Sequence, residues 1–309
     1  MRRLGRPLSP HDAADRPAPT APRALTARQR GYLPMTTTRS RTAAASLAVL
    51  ALAVGLTACS SSKSSMSSTS AASASSASTS SAPKVTGTIT VFAASSLTGT
   101  FTDLGKAFEA ANPGSTVKFN FGGSSALAQS IVSGAPADVF AAASPATMKT
   151  VTDAKDNAST PKNFVSNTLE IAVPKGNPKN LTSLQSLAAP GVKVALCATQ
   201  VPCGSAAQSA LTAAGVKLTP VTLEQDVKSA LTKVELGEVD ASIVYQTDVK
   251  ADGGKVDGVD FPEAAKAVNE YPIADLAKAP NAAGAAAFIA YVESAQGQQV
   301  LAAAGFKAP

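Results

Sequence analysis

From Val85 onward the chain alternates strand-type and helix-type segments, and this alternation restricts the folds open to it more than any other feature. Val85-Thr-Gly-Thr-Ile-Thr-Val-Phe92 is β-branched and alternating, a strand signature. Leu97, Phe101, Leu104 and Phe108 then recur at helical spacing up to Asn112-Pro-Gly114. Residues 116–121 read as a second strand, Leu127, Ile131 and Val132 mark a helix that stops at Gly134, and 138–142 read as a third strand. A β-α-β-α-β order implies a mostly parallel sheet, because parallel neighbours need a long connection and a crossover helix supplies it. A second set comes next, with strands at 169–173, 193–196 and 242–245 and helices at 205–214 and 227–236. Residues 259–261 and 271–274 return to the first style, and 282–304 close the chain with one or two helices. The expectation is an α/β protein of two lobes, one from 85–167 and 248–309, the other from 168–247.

The residues before 85 carry no such pattern. Residues 1–34 are rich in Pro, Arg and Ala and read as a non-native or unstructured leader, with a second start at Met35. From there Arg39 and Arg41 form a basic head, and 43–58 form an apolar run shorter than the roughly 20 residues of a membrane-spanning helix. A charged front, a short apolar run and small residues before a Cys make 35–58 a secretion signal. Leu56-Thr-Ala-Cys59 resembles the lipobox of bacterial lipoproteins, which implies that Cys59 is lipidated and becomes the new N-terminus. The other reading is a plain signal peptide with an incidental Cys. Residues 60–83 are nearly all Ser, Ala and Thr, too polar to offset their conformational entropy, and read with Cys59 as a tether over 59–84. The place expected for the chain is extracytoplasmic, lipid-anchored to the outer face of the cytoplasmic membrane.

Charge and absences narrow the function. The whole chain carries a formal +6, but all nine Arg lie before Cys59, and the chain from Cys59 onward has 18 Lys against 19 acidic residues. The processed chain therefore lacks the Arg-rich basic surface of a nucleic-acid binder. The single His, His11, falls in the leader, so Ser-His-Asp and Cys-His catalysis are unavailable. No spacing of Asp and Glu marks a carboxylate pair or a metal-cation cluster. These absences favour a binding protein over an enzyme, with no cofactor. Cys197 and Cys203 lie six apart, and on the outer side of a membrane such a pair is expected to be oxidised; free thiols binding metal or exchanging redox partners are the other reading.

There remains a set of Ser- and Gly-rich turns between strands and helices. Phe92-Ala-Ala-Ser-Ser-Leu-Thr98, Phe121-Gly-Gly-Ser-Ser125, Val201-Pro-Cys-Gly-Ser205 and Glu224-Gln-Asp-Val227 each open a helix. A helix N-terminus exposes unpaired N–H groups and partial positive charge, so several that converge make an anion site without Arg or Lys. Any one such turn is more often a simple helix cap; their co-occurrence in order carries the argument.

Those turns also carry a resemblance. Val91-Phe-Ala-Ala-Ser-Ser-Leu-Thr98, Phe121-Gly-Gly-Ser-Ser-Ala-Leu-Ala128, Gly134-Ala-Pro-Ala-Asp-Val-Phe140, Val201-Pro-Cys-Gly204, Asp226-Val-Lys-Ser-Ala-Leu231 and Ile243-Val-Tyr-Gln-Thr-Asp248 are similar to the molybdate-binding proteins of ABC importers. The likeness runs over nearly all of 86–309. It implies a two-lobed periplasmic-binding-protein type II fold, with mostly parallel sheets and a ligand cleft between the lobes. It also implies a monomeric receptor that binds molybdate, and tungstate as well, and delivers it to an ABC permease and its ATPase. Carried over position by position, the ligand set falls on the hydroxyls of Ser96, Ser124 and Tyr245 and the main-chain N–H groups of Cys203 and Val227. Ser95 and Ser125 are adjacent candidates. Cys203 departs from the small apolar residue of the family, which a backbone donor tolerates if the disulfide leaves its N–H free. Such a site, faced by no carboxylate, would reject an anion that still carries a proton. The alternatives are a receptor of the same fold for sulfate or another small anion, and, farther off, an accessory lipoprotein or an enzyme.

Overall fold

Residues 85–309 are described by the structure, a computed structural model; the readings of 1–84, the lipidation of Cys59 among them, lie outside the described residues. The chain runs β1 (Gly87–Ala94), α1 (Thr98–Ala111), β2 (Ser115–Gly122), α2 (Ser124–Val132), β3 (Val139–Ala141), α3 (Pro145–Asp153) and β4 (Lys162–Asn167). It continues through β5 (Leu169–Pro174), α4 (Leu184–Leu187), β6 (Val194–Cys197), α5 (Pro202–Ala214), β7 (Thr222–Glu224), α6 (Val227–Glu235) and β8 (Ala241–Tyr245). It ends with α7 (Gln246–Ala251), β9 (Val256–Val259), β10 (Asn269–Asp275), α8 (Ala282–Glu293) and α9 (Ala295–Ala304).

Two five-stranded sheets result, in the orders β2-β1-β3-β10-β4 and β7-β6-β8-β5-β9. Both are mixed. β1 runs parallel to β2 and β3, while β10 runs antiparallel to β3 and β4. β6 runs parallel to β7 and β8, while β5 runs antiparallel to β8 and β9. In each sheet the reversed strand is the one the chain forms as it arrives from the other lobe, which is why a regular βαβ reading does not anticipate it. Strands β1–β4 and β10 make the first sheet, and β5–β9 the second. β9 pairs with β5, and Phe261, Ala264 and Ala267 pack in the second core, so the chain returns to the first sheet after 267 rather than at 248. Residues 248–251, read as the start of the return, belong to α7, which packs against β5, β8 and β9.

The first sheet is filled on one face by Phe101, Phe108, Phe164, Tyr271 and Phe288, with the Phe108 and Phe288 rings edge to face at 5.5 Å. Burying each such ring contributes about 1.5–3 kcal/mol, with edge-to-face pairing adding about 0.5–1.5 kcal/mol. Asp138, in the Gly-Ala-Pro-Ala-Asp string, is buried and structural: its Oδ2 accepts from the Thr90 N–H (2.7 Å) and its Oδ1 from the Asn281 N–H (2.6 Å). It thus fastens β1 to the start of α8. The closing helical stretch is two helices, broken at Ser294, whose hydroxyl accepts from the Gly297 N–H and caps α9. No helix among the described residues is long and apolar enough to cross a membrane.

Candidate functional site

The turns singled out in the sequence meet. Ser96 lies in a 3-10 turn, Ser95–Leu97, between β1 and α1; Ser124 opens α2; Cys203 is the second residue of α5; Val227 is the first of α6; Tyr245 ends β8. All five line one cavity, together with Ala94, Ser95, Gly122, Gly123, Ala143, Val201, Pro202 and Asp226. The space they leave for a water-sized group is only about 10 Å³, far below that of cavities that hold sugars or drug-sized molecules, and so suits a small ion. The five candidates are nearly inaccessible to solvent, Ser96 the most open at 7%. Ser96 and Ser124 come from the first sheet's side, Cys203, Val227 and Tyr245 from the second.

Local sequence explains why these ends are open for a ligand. Pro202 occupies the first position of α5, where its missing N–H costs nothing, and this starts the helix three residues before the expected 205. Gly204 then lets the turn rest against the carbonyls of Cys197 and Ala198, where a side chain would collide. The first N–H groups of α2, α5 and α6 have no carbonyl of their own helix to bond, and the dipoles of these helices add positive potential at the cavity.

The Ser124 hydroxyl is aimed by what it accepts. Ser124 Oγ accepts from the Ala143 N–H at 3.0 Å, so its own hydrogen is free for the cavity. Tyr245 Oη is buried and has no hydrogen-bond partner among the described residues, an arrangement expected of a group that serves a ligand. Burial, with Tyr271 and Asp248 close by, raises that hydroxyl well above its ordinary value and keeps it a donor at neutral pH.

Two expectations need correction. A carboxylate does line the cavity: Asp226. Its two oxygens cap α6, accepting from the Ser229 N–H (3.0 Å) and Ser229 Oγ (2.7 Å). Ser125 is absent from the lining; its hydroxyl donates to the Gln200 carbonyl and links α2 to the loop before α5. Ser95 does line the cavity. Cys197 and Cys203 are joined as a disulfide, the bond leaving from the side chain and so leaving the Cys203 N–H at the helix terminus. The nearby Lys228 ammonium lies 3.2 Å from the buried Asp248 carboxylate, so its charge is matched within the protein.

Sequence reasoning did not find Tyr271, which hydrogen-bonds Ser96, nor the Ala143 N–H that orients Ser124. Neither belongs to a turn motif, and both reach the site through strand order. Residues 89–307 match the protein family described as bacterial extracellular solute-binding protein. The chain belongs to that family. Among individual members, the molybdate-binding protein ModA of Mycobacterium tuberculosis is 45% identical over 222 residues, covering 72% of this chain and 85% of the relative. The solved periplasmic molybdate-binding protein of Azotobacter vinelandii superposes with a TM-score of 0.62 at 20% identity, over 72% of this chain and 99% of its own. The sulfate-binding protein SubI of Mycobacterium tuberculosis does so with 0.61 at 21%, over 72% and 86%. This solute-binding protein thus shares its fold with receptors of more than one oxyanion.

Proposed function

We propose that the chain is an extracytoplasmic receptor that holds molybdate, and tungstate with it, between its two lobes and delivers it to an ABC permease and its ATPase. The reading is carried by one observation: hydroxyls and helix N-termini from both sheets' sides line one small cavity. The 45% identity to a molybdate-binding protein favours molybdate over sulfate, a choice the fold leaves open because a sulfate-binding protein shares it.

Physics supplies the mechanism. A tetrahedral dianion loses its hydration on entering, so each oxygen needs donors in place of water. In this reading Ser96, Ser124 and Tyr245 give hydroxyls, and Cys203 and Val227 give main-chain N–H groups. A hydrogen bond to a charged group is worth about 1.5–3 kcal/mol net. Five of them give about 7.5–15 kcal/mol before association costs, so the −8 to −12 kcal/mol of roughly micromolar to nanomolar binding requires bonds near the upper end of that range. Sulfate is equally deprotonated but smaller, so cavity size must reject it. Closure of the lobes around the ion gives the permease a form distinct from the empty one. We read 35–58 as the export signal and Cys59 with the Ser-rich segment as a lipid anchor and tether, with stable anchoring requiring more than one acyl chain.

Calorimetric titration tests the reading. One-to-one binding of molybdate and tungstate, with sulfate at least about 100-fold weaker (about 2.8 kcal/mol), is the expected result. Sulfate binding as tight as molybdate would move the sulfate receptor to the front.

A further inference from the structure

Ser96 Oγ lies 2.9 Å from Tyr271 Oη, and the direction of that bond is set farther back. The Thr168 N–H donates to Asn167 Oδ1 at 3.0 Å, which fixes the amide so that its Nδ2 faces Thr247 Oγ1 (2.8 Å) and, at a longer 3.4 Å, Tyr271 Oη. A main-chain N–H can only donate, so the Asn167 amide cannot flip. With Tyr271 Oη accepting from Asn167, its single hydrogen goes to Ser96 Oγ. The hydrogen of Ser96 is then left for the cavity, as that of Ser124 is left by the Ala143 N–H.

The relay is rigid and buried. Tyr271 is wholly inaccessible, and its ring is held by Phe306 at 5.6 Å, Tyr245 at 6.1 Å and Phe164 at 6.5 Å. It also starts where the chain crosses between the sheets. Asn167 ends β4 just before the chain enters the second sheet, and Tyr271 lies in β10 just after it has returned. No part of this chain of bonds touches the cavity except Ser96.

We propose that Tyr271, oriented by Asn167, is a positioning residue that locks Ser96 as a donor and so biases the site toward fully deprotonated oxyanions. An anion that still carries a proton, such as hydrogen phosphate, needs an acceptor, and a serine oxygen already taking the Tyr271 hydrogen is a poor one. The proposal rests on the oxyanion reading of the cavity. Without the Tyr271 hydroxyl, Ser96 rotates freely and its oxygen becomes available to accept.

The test is calorimetric titration of the full chain and of Tyr271→Phe with molybdate and with phosphate, each at pH 7, alongside melting temperatures. Wild type that binds no molybdate would remove the underlying reading, independently of the variant. Given that binding, Tyr271→Phe is expected to weaken molybdate about tenfold and to narrow the molybdate-to-phosphate ratio by more than that. A merely structural role would weaken both anions equally, and that result would overturn the proposal. In a double-mutant cycle, Tyr271→Phe is expected to cost little further affinity once Ser96→Ala is in place; additive losses would contradict the relay. If Tyr271→Phe does not fold, the near-isosteric Asn167→Asp reverses the amide donor into an acceptor. It must then narrow the same ratio for the proposal to stand.

Discussion

Gly123, at the N-terminus of α2, faces the main-chain carbonyl of Gln225, just before α6, so closely that a methyl group on Gly123 would overlap it. The two residues belong to opposite lobes, and Gly123 and Asp226, the residue after Gln225, both line the cavity.

The φ of Gly123 is −64°, which any residue adopts, so alanine there adds bulk without backbone strain. Gly123→Ala is therefore expected to leave each lobe folded but hold the lobes apart. Molybdate affinity should fall by at least about 100-fold, because the donors of the second lobe no longer reach the ion. Titration together with small-angle scattering checks this: the variant should stay extended in saturating ligand, where wild type contracts.

Tyr245→Phe separates binding from stability. The Tyr245 hydroxyl is buried without a partner, so removing it should leave the ligand-free melting temperature unchanged or slightly higher. The same change removes one donor to a charged ligand, worth about 1.5–3 kcal/mol, or roughly ten- to a hundredfold in affinity. Loss of both together would mean that the hydroxyl serves the fold.

The disulfide between Cys197 and Cys203 joins the end of β6 to the first turn of α5, with Cα atoms 5.8 Å apart. Its loop is short, so the chain-entropy account gives about 2 kcal/mol. That corresponds to a fall in melting temperature of roughly 4–8 °C for Cys197→Ser with Cys203→Ser. Because Cys203 is one of the candidate donors, the variant should also bind molybdate more weakly at temperatures where it is folded. Unchanged affinity would assign the bond to stability alone.

Glu170, on β5, supplies a pH signature outside the site. Partial burial, with Asp260 nearby, pushes its carboxyl up to about 7 from 4.5. The native chain holds this proton more tightly than the unfolded chain. The group's contribution to stability is thus complete below about 4.5 and is lost as pH rises through about 7. Glu170→Gln, neutral throughout, should melt increasingly above wild type between about pH 5 and pH 8. A difference that stays constant across that window would contradict the assignment.

Much of the architecture was legible because helical and strand periods differ. The apolar spacing of Leu97 to Phe108 and the alternation around Ile89 place α1 and β1 within a few residues. The candidate donors were legible as turns, since a Ser or a Gly-rich step before a helix is a local signal. Strand order is not local. β9 sits beside β5, and β10 runs backwards between β3 and β4, through pairings made across long stretches of chain. That is also why Tyr271 and Asn167 escaped notice: each is an ordinary strand residue until the order of the strands sets it behind Ser96. Lys162–Asn167 has no run of apolar residues and so does not announce β4.

A crystal of the protein with tungstate, measured at a tungsten absorption edge, puts the anion site itself to the test. A single anomalous peak is predicted in the cavity, within hydrogen-bonding reach of the Ser96, Ser124 and Tyr245 hydroxyls and the Cys203 and Val227 N–H groups. No peak there, or a peak held by lysines on the surface, would contradict the receptor reading.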